Sequence, residues 1–366
     1  MNKKEKIFFE SLFKKNIHSK LEINPLLRSK YLINLPLTNK NNKYFIKEDY
    51  TFNYDYQRFD SDLKYNNFES SFYNVNDVHS KTIFTNCGMS SIFCVLYALS
   101  RLENYKVTYE KDIYFETQKI IESLKLNRGK KIIYYDTISD NFKFDSNEKN
   151  KIIIIDTTCY HSYDFNEFIT KLLNNNNFVI MVRSHVKLDM LGLEYAFLGS
   201  VTFFISDKTN KVQFDNYKKI IINTLNICGT IGAYASENNI FPLLSNINFI
   251  KLNKDRIKRL NNNNKYFYEK NRENKYLVLH NHNLFLTLIT NIDDTQKLID
   301  VVKKIANDSK GLCYYSSSFG FDYIALDTYF DFNSKKNTVR ISIGDVNKKV
   351  LNDFVDYFKE KLDGKI

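Results

Sequence analysis

The stretch Lys151–Gly199 reads KIIIIDTTCYHSYDFNEFITKLLNNNNFVIMVRSHVKLDMLGLEYAFLG. Its four consecutive isoleucines, Ile152–Ile155, form a β-branched run with no polar alternation, the pattern of a strand buried on both faces of a parallel sheet. Asp156 closes that run. The segment NFVIMVRSH, from Asn177, repeats the pattern, and Phe165, Phe168, Ile169, Leu172 and Leu173 between the two runs fall at helical spacing. The unit is therefore strand, helix, strand, and an open α/β sheet is expected. Ligands of such sheets collect beyond the carboxyl ends of the strands, which places Asp156 and Lys187 on one crevice.

An aspartate and a lysine facing one crevice suit pyridoxal phosphate. That cofactor needs a lysine amine for a Schiff base and a carboxylate to keep its pyridine nitrogen protonated, so that the ring acts as an electron sink. Taken alone, such a pair is more often a helix N-cap and a solvated lysine.

Further motifs follow one another along the chain. They are YDYQRFDSDLKYNNFESSF from Tyr54, TNCGMSSI around Gly88, DIYFET around Tyr114, IIIIDTTCY around Asp156 and NTVRISIGD around Arg340. In order and rough separation over Tyr54–Asp345 they resemble the Cys/Met-metabolism branch of the fold type I pyridoxal phosphate enzymes, the cystathionine synthase and lyase-like group. The resemblance implies an aspartate aminotransferase-like large domain with a mostly parallel sheet of the seven-stranded type, and a smaller C-terminal α+β domain. The expected division is an N-terminal helix and arm over 1–60 contacting a neighbouring subunit, a cofactor domain over 61–250 and a small domain over 251–366.

The same resemblance assigns roles. Lys187, Tyr114 and Tyr56 are the candidate catalytic residues, with Tyr114 stacking on the pyridine ring. Lys187, Asp156, Thr158, Gly88, Met89, Ser90, Tyr114, Ser184, Tyr56 and Arg58 are candidates to bind the cofactor. Tyr56 and Arg58 are expected to reach the phosphate of the adjacent subunit, and a planar guanidinium suits a phosphate because its donor fork can meet two oxygens. Independently of the resemblance, a glycine turn opening the apolar helix after Gly88 presents free backbone N–H groups and a positive dipole end to an anion. Arg340, Ser317 and Ser318 are the candidates for the substrate carboxylate. A strand arginine between Val339 and Ile341 is costly unless paired, so Arg340 is expected to be unpaired without substrate and to meet a bound carboxylate in a two-point contact. At the lysine the chain departs from the branch, with Val186 in place of a threonine and no histidine after Gly192.

Composition bounds these readings. The chain has 366 residues, 43% of them hydrophobic, enough for one catalytic unit with a sizeable core. No apolar run long enough to span a bilayer and no signal-peptide core are present, so a cytoplasmic protein without membrane association is expected. Five widely spaced cysteines without a Cys-x-x-Cys pair read as reduced thiols, and Cys159, beside Asp156, could be an active-site thiol. The net charge of +11 is spread among Asp, Glu and Asn without a nucleic-acid motif, so no nucleic acid and no metal is expected. His185 reads as a hydrogen-bonded structural histidine.

The expected function is elimination or replacement at the β- or γ-carbon of an amino acid, at a bond to sulfur or an O-acyl group, through a Lys187 aldimine in a homodimer or homotetramer with shared sites. An aminotransferase on the same fold is the first alternative. A non-catalytic binding protein that keeps the fold is the second.

Overall fold

The computed structural model describes residues 68–361 apart from 76–77, 103–104, 110–112, 127–129, 139–146, 161–165, 193–196, 236–246 and 332–334, and before residue 68 only Ile7, 43–45 and 51–53. Two short strands, β1 (Lys43–Phe45) and β2 (Thr51–Asn53), pair antiparallel. The rest of the expected N-terminal helix and arm, Tyr56 and Arg58 included, lies outside the described residues.

Six described strands make the large sheet, in the order β3 (His79–Thr85), β8 (Gly199–Ile205), β7 (Phe178–Ser184), β6 (Ile152–Asp156), β5 (Lys130–Asp136) and β4 (Tyr105–Tyr109). β4 to β7 run parallel, and β8 lies antiparallel to both β7 and β3. The sheet is thus mostly parallel, as expected, with β8 the one reversed strand among those described.

Strand periodicity sorts the isoleucine run between two cores. Ile153 and Ile155 enter the cluster on one face, with α1 (Phe68–Tyr73), α4 (Asn166–Asn174) and the first part of α6 (Ile247–Lys270). Ile152 and Ile154 enter the other, with α2 (Gly88–Ser100), α3 (Phe115–Ser123) and α5 (Lys211–Ile231). All four side chains are buried, each contributing roughly 1.5–3 kcal/mol. A one-residue slip of β6 would exchange the two faces and move Asp156 from the strand end, so burial also fixes the position of the site.

A second sheet follows in the order β11 (Cys313–Tyr315), β12 (Ile324–Asp331), β13 (Lys336–Ser342), β10 (Leu286–Ile289) and β9 (Leu277–Leu279). It is antiparallel except for the β11–β12 pair, and it packs with α7 (Thr295–Asp308) and α8 (Lys348–Lys361) around Leu298, Val339, Ile341, Phe354 and Phe358. Helix α6 serves both cores. Ile250, Ile257 and Leu260 belong to the large-sheet core, and Phe267 belongs to the other.

The start of β8 is packed tightly against the start of α2. A Cβ added at Gly199 would overlap the Cys87 carbonyl and stand 2.7 Å from the Gly88 nitrogen. Gly199→Ala is therefore expected to lower the unfolding free energy by about 1–3 kcal/mol, read from the urea midpoint at unchanged slope, because backbone rather than a flexible side chain must move.

Candidate functional site

Parallel register sets Asp136 and Asp156 at the ends of β5 and β6, beside Val182 two residues before the end of β7. Lys187, just beyond β7, lines a cavity of about 220 Å³ together with both carboxylates. Gly88, Met89, Tyr114, Thr158, Ser184 and Ser318 line it as well, so most of the expected residues converge on one space. The first turn of α2 reaches the end of β7 only because residue 88 has no side chain: a Cβ there would lie 2.7 Å from the Ser184 Cβ. Ser90 does not line the cavity. Its hydroxyl donates to Asn86 at 2.6 Å and its N–H to the Cys87 thiol at 3.4 Å, so Cys87 takes the expected place of Ser90 at the cavity wall.

Asp136 was not singled out from the sequence, although KKIIYYD ends in an aspartate just as KIIIID does. Its carboxylate accepts the Tyr114 N–H at 2.8 Å and the Ile138 N–H at 2.9 Å, which fixes where Tyr114 enters the site. Burial, reinforced by the Asp156 charge beside it, pushes Asp136 up to about 8. Burial also raises Asp156, against two hydrogen bonds from Thr158 and the charge of Lys187. Two buried carboxylates at adjacent strand ends favour a nearby cation or a retained proton.

Lys187 supplies an amine whose pKa is lowered by burial. Its Nζ lies 4.8 Å from the centre of the Phe319 ring and 5.8 Å from that of Tyr114. Burial, with Glu116 adding to it, raises the Tyr114 phenol to about 12, so this group is a proton donor at neutral pH rather than an anion. Cys159 lines the cavity, but burial pushes its thiol far up, which removes thiolate character. All five cysteines are free.

Behind the cavity lies a buried ionic cluster whose members the sequence reading, apart from His185, did not identify. Arg183 donates to Asp189 from Nε at 2.6 Å and from Nη2 at 2.8 Å, and its Nη1 donates to the Thr157 and Tyr160 carbonyls. His185 bridges Asp189 at 2.7 Å and the Ser200 hydroxyl at 2.7 Å, the structural role expected of it. Asn253 of α6 accepts the Leu191 N–H at 3.0 Å and donates to the Asp189 carbonyl at 2.9 Å. The loop that carries Lys187 is thus held at both ends.

Arg340 departs from expectation. It is paired across the β12–β13 ladder with Asp327, Nη2 to Oδ2 at 2.5 Å, and the same nitrogen donates to the Ser317 carbonyl at 3.1 Å. The cost of a strand arginine is met in part inside the protein, by a carboxylate in register with it that engages Nη2 and not Nε. Ser317 contributes its carbonyl to this contact, while Ser318 lines the cavity.

No family model and no curated protein matches the sequence. Solved structures do match. A protein assigned as an O-acetylhomoserine (thiol)-lyase of Campylobacter jejuni, carrying N′-pyridoxyl-lysine-5′-monophosphate at its position 205, superposes with a TM-score of 0.59 at 16% identity over 90% of this chain and 95% of that one. Cystathionine gamma synthase of Xanthomonas oryzae gives 0.57 at 12% over 90% and 91%. Alanine aminotransferase of Pyrococcus furiosus gives 0.52 at 11% over 81% and 80%. The chain has the fold these structures share. Among the described residues no helix is long and apolar enough to cross a membrane.

The ionic cluster makes a testable demand on pH. Burial opposes ionisation of Asp189, but Arg183 and His185 overcome it and hold the carboxyl well below its usual range. A depressed folded-state value means that its stabilisation is complete above the unfolded value of about 4 and is lost as pH falls through the folded value. Asp189→Asn should cost about 3–5 kcal/mol at neutral pH, because Arg183 is left as a buried charge, and should flatten the acid limb of stability against pH in denaturant titrations.

Proposed function

We propose that the protein is a pyridoxal phosphate-dependent enzyme acting on an amino acid by elimination or replacement at a carbon–heteroatom bond. The observation that carries this reading is the meeting of Lys187 and Asp156 in one cavity at the strand ends, beside the N-terminus of α2. The donor set fits the cofactor. Asp156 is a buried carboxylate that gains from a cationic partner, Lys187 is an amine already biased toward its neutral, nucleophilic form, and Gly88 allows the helix N-terminus to approach Ser184 as an anion cup.

When bound, the cofactor supplies an electron sink for charge developing at the substrate Cα. Lys187 would hold it covalently and would be the base that takes and returns a proton at the substrate Cα. Asp156 holds a proton at the pyridine nitrogen. The Tyr114 ring packs over the site while its backbone is fixed by Asp136, and Thr158, Met89 and Ser184 complete the cofactor contacts. Tyr56 and Arg58 are assigned to the phosphate of a neighbouring subunit in a homodimer or homotetramer. We also propose the division into an N-terminal helix and arm over 1–60, a large cofactor-binding domain over 61–250 and a small C-terminal domain over 251–366.

Reconstitution with pyridoxal phosphate tests the reading directly. Borohydride reduction should fix the cofactor to Lys187, located by peptide mass, and Lys187→Ala should abolish both the adduct and turnover while the protein stays folded. An adduct confined to other lysines would remove the proposal. Asp156→Asn should retain cofactor but lose about 10²–10³-fold in rate, since an amide does not stabilise the pyridinium. Ammonia and keto acid formed from sulfur-containing or O-acylated amino acids without an acceptor indicate elimination; accumulation of pyridoxamine phosphate indicates transamination instead.

A further inference from the structure

The contact between Asp327 and Arg340 is incomplete in a way that points to an exchange. A guanidinium can meet a carboxylate at two points through either of two donor forks, Nε with Nη2 or Nη1 with Nη2, and both forks include Nη2. Here Nη2 is fully used, one hydrogen bond going to Asp327 Oδ2 and one to the Ser317 carbonyl. Nε is buried and has no partner among the described residues. Asp327 engages the fork through a single oxygen, its Oδ1 being taken by the Thr328 N–H at 2.9 Å. A carboxylate free to rotate would satisfy both Nε and Nη2, a better partner than the one Asp327 provides.

Position adds to this. The Arg340 guanidinium lies 5.6 Å from the Phe319 ring centre, and Lys187 Nζ lies 4.8 Å from the same ring, so an amine and a guanidinium flank one aromatic side chain. The Phe285 ring is 5.7 Å from the guanidinium and confines it further. The pair is mostly buried, with 12% and 13% of the two side chains exposed, so solvent screens it weakly. An amino acid bound beside Lys187 would therefore meet an arginine whose Nη2 is already occupied and whose Nε is not.

We propose that Asp327 is the resident competitor of the substrate α-carboxylate. It holds Arg340 through one oxygen until an amino acid exchanges onto the Nε–Nη2 fork, and it thereby sets how tightly the site takes carboxylate-bearing amines. The proposal rests on the amino-acid reading of the site. Its consequence is that Asp327 weakens substrate binding in exchange for a defined arginine geometry in the empty site. Removing the charge of Asp327 should improve affinity, the opposite of what a residue that only supports Arg340 would do.

The experiment uses the cofactor-loaded protein and three ligands that share a carbon chain: L-norvaline, n-butylamine, which lacks the carboxylate, and pentanoate, which lacks the amine. Asp327→Asn should bind norvaline about tenfold more tightly or better, read from the change in cofactor absorbance, with butylamine unchanged. Weaker or unchanged norvaline binding, or an equal gain for both amines, overturns the proposal. Pentanoate binding to cofactor-free protein, followed by calorimetry, should rise by the same factor. Because this arm needs neither cofactor nor turnover, a chain that fails to take up pyridoxal phosphate but gains pentanoate affinity separates the two ideas. Asp327→Ser, which also removes the charge, serves if the asparagine variant does not fold, and absence of the gain there is equally fatal.

Discussion

The buried pair between Arg183 and Asp189 is the constraint on which the site depends. A guanidinium and a carboxylate with side chains 0% and 1% exposed are tolerable only if nearly every donor and acceptor is used, and here both Asp189 oxygens and all three Arg183 nitrogens are engaged. The partners bracket Lys187. Arg183 belongs to the rigid strand β7 and Asp189 to the loop beyond the lysine, so the pair closes a short loop whose centre projects the amine toward Asp156. His185 adds a tie from Asp189 to Ser200 at the start of β8. Phe72 lies over Arg183, with the guanidinium carbon 5.4 Å from the ring centre, and thereby brings α1 into the same arrangement.

Against this fixed frame the cavity is electrostatically strained. Asp136 and Asp156 end adjacent strands in register, and burial raises both, while burial lowers the Lys187 amine, which lines the same cavity. Each shift moves the group toward its neutral form, and together they describe a space poorly matched to its own charges. A ring with a protonated nitrogen placed against Asp156 would relieve the acid side. A covalent bond at Lys187 would use the amine in the form that burial favours. The same low dielectric that disfavours the isolated charges strengthens those contacts once made.

Legibility in the sequence followed burial. The isoleucine run, the apolar helix after Gly88 and the strand after Asn177 are dictated by side chains that must leave water, so the sheet direction and the meeting of Asp156 with Lys187 could be read without coordinates. Asp136 carried the same signal in KKIIYYD and was passed over because its neighbours suggested only an ordinary strand. Arg183 and Asp189 gave no such signal, since charged residues flanking a lysine look like a solvated turn until α1 and α6 are seen to cover them. Arg340 is paired with Asp327 rather than free, which the strand pattern around it does not reveal. The aspartate opposite it is adjacent only through the β12–β13 register and lies 13 residues away in sequence, a relation that sequence distance does not display.

The two sides of the cavity are held by different kinds of contact, and this decides what each can do. The lysine side is locked by close backbone packing added to the buried side-chain cluster around it. Gly320, at φ +90, presses against the Lys187 carbonyl where a side chain would collide, and the buried Arg256 ties that glycine's carbonyl at 2.7 Å and Asp322 at 2.9 Å to helix α6. Leu191 and Gly192, both at positive φ, complete the turn beneath it. A lysine that must carry a covalent group gains from such fixity, because small displacements at a reacting atom are expensive. The arginine side is held by side chains alone, through one oxygen of Asp327 and one carbonyl. Its strand is fixed by the ladder, so the freedom lies in the choice of partner rather than in the position of the guanidinium.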